Sequence, residues 1–118
     1  MDSPTTPKVS LSRIRDHGWS LWDPIGLLGE KGHFSGKWSD SKNARFADEY
    51  DRYLIDAAHQ IRRGVPAQKV VDFLYDIEAN YMGLGERETT RERAQALVVA
   101  IKHDDLIWTW PDENGHFK

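Results

Sequence analysis

The chain has 118 residues, 39% hydrophobic, 30% charged and 11% aromatic, which excludes a disordered polypeptide and bounds the architecture at one domain burying roughly two thirds of its unfolded surface. With 16 Lys plus Arg against 19 Asp plus Glu, a net charge of −3 and the signs interleaved, nucleic-acid binding is not expected, because phosphate recognition relies on clustered cations. The absence of cysteine excludes disulfides and thiolate metal sites, no apolar run approaches the roughly 18 residues of a membrane span, and no targeting pattern opens the chain, so a cytoplasmic protein is expected.

Residues 1–9, with Pro4 and Pro7 among Ser and Thr, are expected to form a flexible tail, and residues 10–118 a single helical domain. Ser10 can cap a helix carrying Leu11 and Ile14. That helix should end near His17, since Gly18 inside it would cost about 1 kcal/mol relative to Ala. The following stretch, as far as Asn43, contains Pro24, Gly26, Gly29, Gly32 and Gly36, which oppose regular helix. Its Trp22, Ile25, Leu27, Leu28, Phe34 and Trp38 predict a long loop packed by its own side chains, as either a plug for the bundle or a functional surface.

From Ala44 to Arg63, Phe46, Tyr50, Tyr53, Leu54, Ala57, Ala58 and Ile61 recur at spacings of three and four, which predicts a core helix stopped by Gly64. A second long helix is expected from Pro66 to about Met82, with Val70, Leu74, Ile77 and Tyr81 inward and Asp72, Asp76 and Glu78 on the outer face. Thr89 and Glu92 fit a capping box for a third, ending near His103, with Ala94, Leu97, Val98 and Ile101 inward. Arg87, Arg91 and Arg93, interleaved with Glu86, Glu88 and Glu92, read as a solvated face. After Asp104, Leu106–Trp110 and the turn cluster before His116 and Phe117 suggest a short strand or hairpin, pairing with His33–Phe34 or Lys37–Trp38. The expected fold is all-α, a small bundle of about four helices with a long packed loop and a short C-terminal β-hairpin.

The run Trp22-Asp23-Pro24-Ile25-Gly26, followed by Asp48-Glu49-Tyr50-Asp51-x-Tyr53, then Ile77-Glu78 and Met82-Gly83-Leu84, resembles a family of small bacterial proteins of unknown function. The resemblance runs from about Trp22 to His103. It implies a compact helical domain opening on a WDPIG turn and continuing into a DEYD-type helix, and it transfers no catalytic residue. The residues themselves suggest a structural role for the turn: Trp22 and Ile25 wedge into the bundle end while Asp23 caps local N–H groups.

Several constellations could carry chemistry. Asp56 and His59 have the spacing of half a di-metal carboxylate site, and the similar pair Glu113 and His116 lies in the tail. His103-Asp104 is similar to the His-Asp pair of metal-dependent phosphohydrolases, which draws on further histidines such as His17, His33 or His116. Ser35 and Ser39 sit in no nucleophile elbow or phosphate loop. Interaction surfaces are the stronger expectation, with Trp38, Trp108, Trp110 and Phe34 as aromatic anchors and Asp48, Glu49 and Asp51 as an acidic patch. The expected function is a non-catalytic protein-protein interaction module, of the immunity-protein, antitoxin or regulatory-inhibitor kind. The alternative is a small metal-dependent hydrolase using His59 or His103 with Asp56 or Asp104. A protein partner is expected, with no cofactor, nucleic acid or membrane, and with homo-oligomerisation left open.

Overall fold

Apolar residues recurring at spacings of three and four commit most of this chain to helix. The computed structural model describes residues 7–28 and 36–110. In order these form strand β1 (Lys8–Val9), helix α1 (Leu11–His17), a π-helical turn (Gly18–Trp22), a 3₁₀ helix (Ser41–Phe46), α2 (Asp51–Arg62) and α3 (Ala67–Asp76). A second π-helical turn (Ile77–Tyr81), α4 (Thr90–His103), a 3₁₀ turn (Asp105–Ile107) and strand β2 (Trp108–Thr109) complete them. The architecture is the expected helical bundle, with a two-stranded antiparallel sheet. Helix α3 packs on α2 and α4, and α1 contacts both α2 and α4. Leu54, Ala57 and Ala58 of α2, Val70 and Leu74 of α3, and Leu97 and Val98 of α4 meet in the core. Each large aliphatic side chain so buried contributes roughly 1.5–3 kcal/mol.

The two helices that run into π turns depart from the expected register for one reason. Val70, Leu74 and Glu78, four residues apart, are all buried, whereas Tyr81, expected inward, is 66% exposed. A π turn closes a wider ring, with the Met82 N–H donating to the Ile77 carbonyl at 2.8 Å. Residues spaced by four therefore stay in line, Glu78 follows Leu74 inward, and Tyr81 is carried out onto Tyr53, ring centroids 5.9 Å apart. The same spacing of four links the buried Ile14, Gly18 and Trp22. Here the helical path does not stop at His17 as expected; it widens and continues, with the Asp23 N–H on the Gly18 carbonyl at 2.9 Å. Gly18 serves close approach rather than termination, because a Cβ there would lie 2.6 Å from Leu54 Cδ1.

The segment expected as one helix from Ala44 to Arg63 begins instead as a 3₁₀ helix and turns, and becomes α-helical at Asp51. Asn43, just before it, and its own inward residues Phe46 and Tyr50 lie three and four apart, a spacing that tight turns also satisfy. Phe46 and Tyr50 close on Trp19 with ring centroids 5.5 and 4.6 Å away, and Trp22 lies 5.5 Å from Tyr50. The expected stop at Gly64 is present: at φ 88° it allows the Val65 N–H to reach the Gln60 carbonyl and the Gly64 N–H the Ile61 carbonyl, both at 3.0 Å.

A strand does form at Trp108–Thr109, but its partner is β1, with Lys8 opposite Thr109 and Val9 opposite Trp108. The Ser10 N–H extends the pairing to the Ile107 carbonyl at 2.6 Å. Order therefore reaches back into the expected tail, at least to the buried Pro7. Lys37 and Trp38 do not take the strand's edge, because Trp38 is held on α1. The other expected pairing, at His33–Phe34, and the far hairpin arm at His116–Phe117 lie outside the described residues. No helix among the described residues is long and apolar enough to cross a membrane.

Candidate functional site

The WDPIG turn is built around Asp23, whose backbone takes φ 28° and ψ 64°, a left-handed conformation that Asp tolerates better than most residues. Pro24 follows and fixes the exit. Asp23 Oδ1 accepts from the Gly26 and Leu27 N–H groups at 3.2 and 3.1 Å, and Oδ2 from the Leu28 N–H at 3.0 Å. The Tyr50 hydroxyl donates to the same Oδ1 at 2.7 Å and accepts from the Ile25 N–H at 3.1 Å. Burial first, and then the neighbouring Asp23 carboxylate, push the Tyr50 phenol far above its ordinary range, so it stays a protonated donor.

Beside this turn lies a carboxylate that the pattern of the sequence placed on the outside. Glu78 is fully buried. Arg93 grips it at both oxygens, Nη1 to Oε1 at 2.8 Å and Nη2 to Oε2 at 2.7 Å. Arg87 Nη2 and Thr90 Oγ1 also donate to Oε2, at 2.9 and 2.8 Å. Burial alone would push the Glu78 carboxyl up, but the hydrogen bonds from Arg93, Thr90 and Arg87 hold it below its usual range. The same arginines fasten the turn: Arg93 Nη1 donates to the Trp22 carbonyl at 2.9 Å, and Arg87 Nη2 donates to the Pro24 carbonyl. Arg93 is thus withdrawn from the solvated face expected of it, whereas Arg87 and Arg91 are exposed as expected, Arg87 while reaching inward to Glu78 and Arg91 paired with exposed Asp72 at 3.1 Å. Nor does the expected capping box form, since the Thr89 hydroxyl accepts from Arg93 Nε at 2.8 Å instead of capping a backbone N–H.

This network is saturated. A carboxylate gripped by two guanidinium groups stays ionised with its lone pairs occupied, and a phenol locked between a carboxylate and an N–H is a poor nucleophile. What it supports is a groove of about 770 Å³ above the first π turn, walled by Trp19, Leu21, Trp22, Leu28 and Trp38. Trp38 Nε1 donates to Asp16 Oδ1 at 2.8 Å, and the Arg15 guanidinium lies 5.2 Å from the Trp38 ring. Arg15 in turn grips Asp51 with two bonds of 2.9 and 2.6 Å. The expected acidic patch is therefore divided: Asp51 is consumed by Arg15, whereas Asp48 and Glu49 are exposed on the turn before α2. Phe34 lies outside the described residues.

A second aromatic site forms where β2 crosses the end of α2. The Arg62 guanidinium lies 5.5 Å from the Trp108 ring and 5.9 Å from that of Trp110, and the His59 ring meets Trp108 at 5.3 Å. Trp110 is 54% exposed, so this face presents apolar area to solvent. Arg62 was not foreseen as part of it; its place in the last turn of a helix gave no local sign of an aromatic partner.

The residues proposed for metal chemistry are dispersed. Asp56 accepts from Gln60 Nε2 at 3.1 Å while His59 meets Trp108 edge-on. His103 is exposed, and its sequence neighbour Asp104 is taken by Arg13, through two bonds of 3.0 Å, and by His17 Nε2 at 2.7 Å. Burial would raise the Asp104 carboxyl, but His17 and Arg13 hold it low. Among the described residues no group of three or more His, Asp and Glu is placed to hold a metal ion. His33, Ser35, Glu113 and His116 lie outside the described residues. No protein family, curated protein or solved structure matches this chain.

Proposed function

We propose that this protein is a non-catalytic binding module that engages a partner protein, as an inhibitor of the immunity or antitoxin kind, through the face made by Trp108, Trp110 and Arg62. The observation that carries the reading is the Arg62 guanidinium, 5.5 and 5.9 Å from two indoles, one of them the exposed Trp110. Tryptophan buries large, rigid contact area at small entropic cost, and tryptophan and arginine are both enriched in binding hot spots. The saturated network behind the WDPIG turn supports the same reading, because it spends Glu78, Asp23 and Tyr50 on rigidity. The hydrolase alternative has less support, with His59 edge-on against an indole and Asp104 taken by Arg13 and His17.

Native mass spectrometry of the protein purified gently from its host tests this. The expected spectrum shows a stoichiometric second protein with the natural sequence and its loss in Trp110→Ala, with both chains equally folded by circular dichroism. A bare natural chain that turns over a substrate, and stops doing so on one His or Asp substitution, overturns it.

A further inference from the structure

Arg62, which meets Trp108 and Trp110, also opens the turn between α2 and α3, where the surface has a charge of its own. Helix α2 ends at Arg62 and Arg63, the chain reverses at Gly64, and α3 starts at Ala67 beside the end of α4. Between them opens a pocket of about 200 Å³, lined by Ile61, Val65, Pro66, Ala67, Val98 and Lys102. A drug-sized ligand occupies about 300–1,000 Å³, so this pocket suits a single apolar side chain.

Arg62, Arg63 and Lys102 have no carboxylate within ion-pair distance among the described residues. Asp104, just beyond Lys102, is consumed by Arg13 and His17, and the next carboxylate is Asp105. The first turn of α3 has no side-chain cap, so its positive dipole end adds to the same field. Lys102 lines the pocket, and Arg62 and Arg63 stand in the chain between its lining residues Ile61 and Gly64, so in a chain with 19 acidic residues against 16 Lys plus Arg this is a local reversal of sign beside an apolar hole.

We propose that the pocket and its cations receive an acidic segment of a partner protein, with one aliphatic or aromatic side chain seated between Val65 and Val98 and flanking carboxylates on Arg62, Arg63 and Lys102. The inference rests on the binding function proposed above and names the chemistry of that partner. An acidic peptide is favoured over nucleic acid because the pocket rewards an apolar side chain, which a phosphate backbone does not supply.

The test is calorimetric titration of the full chain, in low salt, with four probes. These are a twelve-residue Asp/Glu-rich peptide with a central Leu, the same peptide with Ala at the centre, a Lys-rich counterpart of the first, and a twelve-nucleotide oligothymidylate. The expected result is binding of the first peptide, weakened about tenfold by the central Ala and about tenfold by Arg63→Glu or Lys102→Glu, the size of one close charge pair. Circular dichroism confirms that the variants fold. Equal affinity for the Leu and Ala peptides, indifference to both charge reversals, tighter binding of the oligonucleotide, or no binding of any peptide overturns the proposal. If the peptides fail while native mass spectrometry still shows a partner that depends on Trp110, the acidic occupant is wrong and the binding function stands.

Discussion

Arg93 closes on Glu78 with two nitrogens, at 2.8 and 2.7 Å, and uses the first of them again on the Trp22 carbonyl at 2.9 Å. One side chain on α4 thus joins the two π turns, since Trp22 ends the first and Glu78 lies in the second. Removing it leaves the buried Glu78 carboxylate with Arg87 and Thr90 on Oε2 and nothing from Arg93 on Oε1, and frees a backbone carbonyl at the same time. Arg93→Ala should cost about 3 kcal/mol, the range for breaking a buried ion pair. Arg91→Ala, which breaks the exposed pair with Asp72, should cost less than about 1 kcal/mol. Urea titration of both variants decides it, and equal midpoints would show that the Glu78 network contributes no more than a surface pair.

The depressed carboxyl of Glu78 makes stability depend on pH with a definite sign. The folded state holds this group ionised to lower pH than the unfolded chain, in which it titrates near its ordinary 4.5. Its contribution is therefore complete above that value and is lost as pH falls through the depressed folded pKa. Glu78→Gln should lower stability at neutral pH and flatten the fall in unfolding free energy between about pH 5 and pH 2. Some slope should survive, because the Asp104 and Asp72 carboxyls are lowered in the same direction. A slope identical to that of the natural chain would exclude Glu78 as its source.

Asp23 and Tyr50 form the other half of the support. Tyr50→Phe leaves both Asp23 Oδ1 and the Ile25 N–H short of a partner and should cost about 1–3 kcal/mol. Asp23→Ala removes four hydrogen bonds and puts Ala at φ 28°, so it should cost more, with Asp23→Asn between the two Asp23 forms because Asn tolerates that backbone. Thermal melts rank the variants, and a Tyr50→Phe penalty above that of Asp23→Ala would place the anchor in the tyrosine instead.

At Gly18 two effects of opposite sign compete. Ala would gain up to about 1 kcal/mol of helix propensity, yet its Cβ would meet Leu54 Cδ1 and Cδ2 at 2.6 and 2.7 Å in a fully buried site. Overpacking of this kind costs about 1–3 kcal/mol, so Gly18→Ala should be net destabilising. Adding Leu54→Ala should cost less in the Gly18→Ala background than in the natural chain. Additive penalties in that double-mutant cycle would mean that the two residues do not compete for space.

Much of the bundle was legible from periodicity. The stripe Leu54, Ala57 and Ala58, the stripe Ala94, Leu97, Val98 and Ile101, the stop at Gly64 and the strand at Trp108–Thr109 all express local preference, which neighbours in sequence settle among themselves. Glu78 was misplaced because its stripe was read at a mean spacing of 3.6. The run Val70, Leu74, Glu78 and Met82 keeps a strict spacing of four, and that was the available sign of a π turn with a charge inside it. Trp110 could be named as an anchor from composition alone, whereas its stacking on Arg62 could not.

By itself, then, the sequence determined the inward stripes of α2 and α4, the stop at Gly64 and the strand near the end of the described chain, because backbone geometry and side-chain spacing act over a few residues. Tertiary structure alone decided that Lys8–Val9 is the partner of the last strand, that His17 rather than His103 reaches Asp104, and that Glu78 can be buried. Burying a carboxylate costs several kcal/mol unless cations arrive to meet it. Those cations, Arg87 and Arg93, belong to other elements, so their arrival depends on the packing of the whole bundle, and the spacing around Glu78 does not name them.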